Sequence, residues 1–148
     1  MHESNQTPNW QPISFLPQIA EMIDGMLESA QSVLDSLERA RTQPHVMDDY
    51  TLGRVREVHG TQLNDLWLYE EQLSRWRGSS PTDRQRTEIE RVTNQLTALR
   101  HVLTLCLALA DEMKAGTIDK ILAKDDVELA IEFLMGKRKT TRKKRSEW

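Results

Sequence analysis

The sequence lacks the features of disulfide-rich, membrane-spanning and secreted proteins. Its 148 residues include one cysteine, Cys106, so no internal disulfide can form and a reducing compartment is expected. The longest apolar run, residues 102–110, has nine residues and includes Thr104, whereas a membrane span needs about 20. The N-terminus has no charged start followed by an apolar core, so no signal peptide is visible. These absences predict a cytoplasmic protein.

Signatures of catalysis and of metal binding are missing as well. The chain contains no Gly-x-Ser-x-Gly elbow, no His-Glu-x-x-His pair, no phosphate-binding glycine loop and no paired cysteines. Cys106 lies among apolar residues at helical spacing, which is typical of a core position rather than of a nucleophile. We therefore expect a non-catalytic protein that has no cofactor and no metal.

Three long stretches of the chain carry an apolar residue at alternating intervals of three and four positions. They run from Leu16 to Leu37, from Leu52 to Trp76 and from Ile89 to Met113, with two polar exceptions in the second stretch. Because the connections between the stretches are short, neighbouring helices are expected to be antiparallel. The pattern predicts an all-α fold, an antiparallel up-down bundle of three long helices with a shorter C-terminal helix packed on it.

The domain boundaries follow from the start and stop signals of these helices. Residues 1–13 are polar and are predicted to be disordered, 14–136 form a single helical-bundle domain, and 137–148 form a basic disordered tail. Gly116 is expected to end the third helix. The predicted helices cover residues of about 15–41, 49–77, 81–115, 118–123 and 126–135.

Two polar side chains, His59 and Gln62, interrupt the apolar stripe of the second helix. If the first two helices turn near residue 45, Ala30 is the small residue level with His59. A polar layer in mid-bundle usually fixes the register of the helices, and we favour this interpretation. A position of His59 at the bundle edge is one alternative. A metal-dependent bundle enzyme centred on His59 is a remote one, because no second ligand stands at a matching spacing.

The second helix also carries Gly53, Gly60 and Trp67 at intervals of seven, along one flank. A glycine inside a helix costs about 1 kcal/mol relative to alanine, so it often has a packing reason. On the third helix, Val102, Leu105 and Leu109 lie outside the apolar stripe, so another element is expected to pack on them. The C-terminal segment or a partner subunit would be that element. We expect a homodimer that also binds an unknown protein through these surfaces.

The charge of the chain is unevenly distributed. Residues 137–148 hold seven Lys or Arg and one Glu, a net charge of +6, whereas the other 136 residues hold 13 cations and 22 acids, a net charge of −9. A cationic tail releases counterions from nucleic acid, so weak nucleic-acid binding is predicted as an alternative to protein, lipid or intramolecular contacts. The cations of the tail are Lys137, Arg138, Lys139, Arg142, Lys143, Lys144 and Arg145.

Protein–protein interaction or assembly is the function we expect first, because the acidic body would repel the phosphates that the tail attracts. The alternative is an accessory nucleic-acid-associated protein whose tail makes non-specific phosphate contacts. No aromatic residue is interleaved with the basic run, so base stacking is not indicated.

Overall fold

The computed structural model describes residues 7–43 and 47–135, with side chains up to residue 115. This part of the chain is helical and contains no strand. A short 3-10 helix, Ile13–Phe15, leads into α1 (Leu16–Thr42), which is followed by α2 (Asp49–Arg77) and α3 (Asp83–Met135). The predicted all-helical fold with three helices packed together is confirmed.

The helix α3 is central, because both α1 and α2 pack along it. One contiguous core joins buried side chains of the three helices, among them Ile23, Leu66 and Leu103. Every position of the three predicted apolar stripes is buried or partly buried. Burying a leucine or isoleucine stabilises a fold by about 1.5–3 kcal/mol, so this core holds the helices together.

Interhelical ion pairs show how the helices are aligned. They are Asp24–Arg91 and Arg41–Glu112 between α1 and α3, and Glu70–Arg100 and Arg56–Asp111 between α2 and α3. Residue numbers therefore rise together along α1 and α3, whereas they fall along α2 as they rise along α3. All of these side chains are at least 38% exposed, so each pair contributes only about 0–1 kcal/mol.

The C-terminal part of α3 departs from the prediction. The sequence predicted an end at Gly116 and separate helices over 118–123 and 126–135, but the structure has one helix from Asp83 to Met135. A lone glycine in a helix costs only about 1 kcal/mol, and no proline follows it, so the local sequence does not stop the helix. The 53 residues of α3 make it about 80 Å long, and the predicted fold-back is not seen.

The start of α3 lies two residues later than predicted. Ser80 directly precedes the predicted start at residue 81, but its φ of 59° does not suit an N-cap residue, which is extended. Thr82 takes that role, because its Oγ1 accepts from the backbone N–H of Gln85 at 3.1 Å. The Gln85 side chain accepts from the Thr82 N–H at 2.9 Å, which completes a reciprocal capping box.

We expect Thr82→Ala to lower the free energy of unfolding by about 1 kcal/mol, because it leaves a backbone donor of α3 uncapped. Urea unfolding followed by circular dichroism measures the loss. Thr97→Ala, an exposed position inside α3, is the matched control and should cost nothing, because alanine is the better helix former. An equal loss in both variants would contradict the cap.

The N-terminal segment also differs from the prediction, which had disorder through residue 13. Residues 7–12 pack on the end of α2, where the Gln11 N–H donates to Gln72 Oε1 at 2.7 Å and Trp76 Nε1–H donates to the Gln11 carbonyl at 2.8 Å. The Arg75 guanidinium lies 4.4 Å from the centroid of the Trp10 ring. Because Gln72 and Trp76 are buried, their polar atoms would lack partners without this segment. Residues 1–6 lie outside the described part of the chain.

Candidate interaction surfaces

Of the two polar residues in the predicted layer, His59 is the buried one and is 7% exposed. Its Nδ1 atom is buried without a well-formed hydrogen bond. Burial lowers the pKa of His59, and the Val55 backbone one turn earlier offsets only part of that effect. Gln62, the second polar position, is half-buried. A neutral imidazole in an apolar setting is therefore the form that the fold favours.

Contacts with α3 give the level of Ala30 and of His59 along that helix. The Cys106 thiol donates to the Ala30 carbonyl at 3.6 Å. His59 follows Arg56 by one helical turn, and Arg56 pairs with Asp111, so His59 lies level with about residue 108 of α3. The role of this layer in setting the register stays a prediction.

Cys106 is fully buried in the core. Burial raises the pKa of its thiol to about 11, and the negative charge of Glu38 adds to the effect. The thiol is therefore protonated at neutral pH and is a poor nucleophile. Among the residues whose side chains are described, no group of three or more His, Cys, Asp or Glu is arranged to hold a metal ion.

The flank of α2 that carries Gly53, Gly60 and Trp67 is open to solvent. No atom of another helix or side chain lies within 4 Å of the position that a Cβ would take on either glycine. The Trp67 side chain is 44% exposed. The expected close approach of another helix to this flank is not made by the described part of the chain, so the flank is available to a second molecule.

A groove of about 680 Å³ runs between α1 and α3. Leu27 of α1 and Ala98 and Val102 of α3 supply its apolar lining. Of the predicted interface residues on α3, Val102 and Leu109 are buried within the chain, whereas Leu105 is 41% exposed. The α1 side of this groove is acidic and polar, and its lining residues there are Asp24, Glu28, Gln31, Ser32 and Asp35.

The carboxylates near the groove differ in their partners. Asp24 accepts from both terminal nitrogens of Arg91, at 3.1 and 2.9 Å, and this contact lowers the pKa of the carboxyl. Asp35 accepts only from the Gln31 side chain, at 3.2 Å. Neither Asp35 nor Glu38, one turn further along α1, has an ion-pair partner among the described residues. The negative charge beside the groove is therefore partly uncompensated.

The cationic tail lies outside the described residues, and within them no helix combines the length and apolarity that crossing a membrane requires. Comparison with family models, curated protein sequences and solved structures finds no match to this chain.

Proposed function

We propose that this chain is a non-catalytic, cytoplasmic up-down helical bundle that acts in protein–protein interaction or assembly, as a homodimer. The observation that carries the proposal is the exposure of large apolar side chains on two separate surfaces. Trp67 stands beside two open glycines on α2, and Leu105 stands in an uncharged stretch of α3. Exposed tryptophan and clustered apolar side chains are typical of interfaces.

The chemistry of the buried polar residues supports the non-catalytic part of the proposal. The Cys106 thiol is protonated and buried, and the Nδ1 atom of the buried His59 has no well-formed hydrogen bond. A nucleophile or a general base needs access to a substrate and a positioned partner, and neither residue has both.

We expect the mass of the full chain in solution to rise from one chain to two as its concentration increases. A dissociation constant in the micromolar range corresponds to a binding free energy of about −8 kcal/mol, which a modest apolar interface supplies. Sedimentation equilibrium between about 1 and 100 µM measures the transition. A mass of 17.2 kDa over the whole range would contradict the homodimer.

The alternative function, accessory nucleic-acid binding, is favoured by the seven cations within residues 137–145. A labelled duplex and a labelled single strand, each at two salt concentrations, separate it from the first proposal. Micromolar binding that falls steeply with salt and disappears in a chain ending at Gly136 would favour the alternative. The remote alternative, a metal-dependent enzyme around His59, requires metal in the purified protein, which elemental analysis detects.

A further inference from the structure

The last two turns of α2 hold a short extended segment of the chain by its backbone. Gln72 Oε1 accepts from the Gln11 N–H at 2.7 Å, and Trp76 Nε1–H donates to the Gln11 carbonyl at 2.8 Å. We propose that this end of α2 is a binding site for an extended peptide of a partner protein, which the chain's own residues 7–12 occupy as an autoinhibitory segment. This peptide site rests on the proposed role in protein–protein interaction and deepens it, because it names a surface and a class of partner.

The side chains that form the peptide site belong to two successive turns of one helix. Trp76 is 3% exposed and is part of the core that joins the three helices, and Gln72, one turn earlier, is 6% exposed. Arg75 lies beside them and pairs with Glu71 at 3.1 Å. Because the helix and the core set the positions of these groups, little order has to be created when a peptide binds.

The segment in the site is less embedded than the side chains that hold it. Residues 7–12 belong to no helix or strand, and none of them is buried. Besides the two backbone hydrogen bonds, the Arg75 guanidinium contacts the Trp10 ring, 4.4 Å from its centroid. The next residue, Ile13, packs against the core and fixes the chain there. Segments with so few buried contacts open locally at low cost, so residues 7–12 can leave the site while the bundle stays folded.

The geometry defines the chemistry of the peptide that fits. Any extended residue except proline offers the N–H and the carbonyl that the site binds, so these hydrogen bonds give affinity without selecting a side chain. The preceding residue, Trp10 in this chain, supplies an aromatic ring for the Arg75 guanidinium. The following residue, Pro12, has φ −68° and ψ 157°, close to the polyproline II conformation, which is extended before it binds. The partner segment therefore carries an aromatic residue, a residue other than proline, and then proline.

The chain's own segment and a partner peptide compete for the same groups. When residues 7–12 leave, Gln72 Oε1 and Trp76 Nε1–H lose their protein partners, and a peptide of the same chemistry restores both hydrogen bonds. The chain's own segment has the advantage of its covalent attachment, which keeps its effective concentration high. The apparent affinity for a partner peptide is therefore reduced by the fraction of molecules whose site is closed.

Two substitutions of one residue test the competition in the full chain. Gln11→Pro removes the N–H that Gln72 accepts, whereas Gln11→Ala keeps both backbone groups and is the matched control. We expect a fluorescently labelled synthetic peptide of residues 7–13 to bind the Gln11→Pro chain about tenfold more tightly than the wild-type chain, because only this change weakens the competing segment. The Gln11→Ala chain should bind it like the wild type. Fluorescence anisotropy measures the affinities, and circular dichroism confirms that each variant is folded.

The peptide and the wild-type chain supply two further readouts. A peptide that itself carries Gln11→Pro should not bind, because it lacks the N–H. In the wild-type chain, the amide hydrogen of Gln11 should exchange with solvent at least a hundredfold faster than that of Leu66, which lies in the core of α2, because local opening precedes global unfolding.

The outcomes separate the peptide site from the homodimer. Equal peptide affinity of the three chains, no binding to any of them, or exchange of Gln11 as slow as that of Leu66 would each overturn the peptide site. None of these results affects the homodimer, which sedimentation equilibrium tests. A chain that stays monomeric and binds the peptide as expected would overturn the homodimer and support the peptide site.

Discussion

Leu103→Ala is expected to lower the free energy of unfolding by about 2–5 kcal/mol, the range for removing a buried leucine side chain from a packed core. Leu103 is 0% exposed and belongs to the cluster that joins all three helices. The cavity would lie on α3, so packing against both neighbours would suffer. Since a domain of this size is stable by about 5–15 kcal/mol, the loss is a large fraction of the total.

Leu105→Ala is the matched control, two residues further along the same helix and 41% exposed. Its cost should stay below about 1 kcal/mol when unfolding in urea is measured on dilute, monomeric protein, because little apolar area is buried there within one chain. Similar losses in the two variants would mean that α3 does not present the Leu103 face to the core.

The stability of the protein is expected to fall as the pH drops below about 6.5. Burial holds the pKa of His59 below its ordinary value of 6.5 in the folded chain, so the unfolded chain takes up the proton first. The free energy of unfolding therefore keeps its full value above about pH 6.5. It falls progressively below that pH, until the pH reaches the pKa of His59 in the folded chain. Each unit of difference between the two pKa values corresponds to about 1.4 kcal/mol.

Urea unfolding between pH 8 and pH 5 measures this dependence. In His59→Leu this loss of stability below pH 6.5 should disappear, and at pH 7 the variant should be at least as stable as the wild type, because the buried Nδ1 without a well-formed hydrogen bond is removed. His101→Leu, which removes an exposed imidazole from α3, should leave the pH-dependent loss of stability in place. If that loss persists in His59→Leu, groups other than His59 cause it.

Local sequence signals were sufficient for α1 and α2. Their predicted ranges, about 15–41 and 49–77, differ from the observed helices by at most one residue at each end. Asp48 is the N-cap of α2, and its side chain accepts from the Thr51 N–H at 2.8 Å. Such signals succeed where a cap or a break acts within one turn of the chain.

Local sequence signals are insufficient where residues far apart in the chain supply the partner. Nothing near Gln11 in the sequence indicates that its backbone would meet Gln72 and Trp76, because these contacts join residues more than 60 positions apart. Gly116 does not end α3, since its cost of about 1 kcal/mol is small beside the gain from a continuing helix. The sequence likewise did not indicate that no other helix or side chain lies close to Gly53 and Gly60.

The sequence by itself determined that the chain is helical and which face of each helix is buried, because a period of 3.6 residues sorts apolar side chains onto one side without reference to any partner. Only the tertiary structure decided which helix is central, which apolar positions stay exposed and where α3 outruns its neighbours. These properties depend on the relative alignment of whole helices. That alignment is set by the packing of residues far apart in the chain, which no local pattern records.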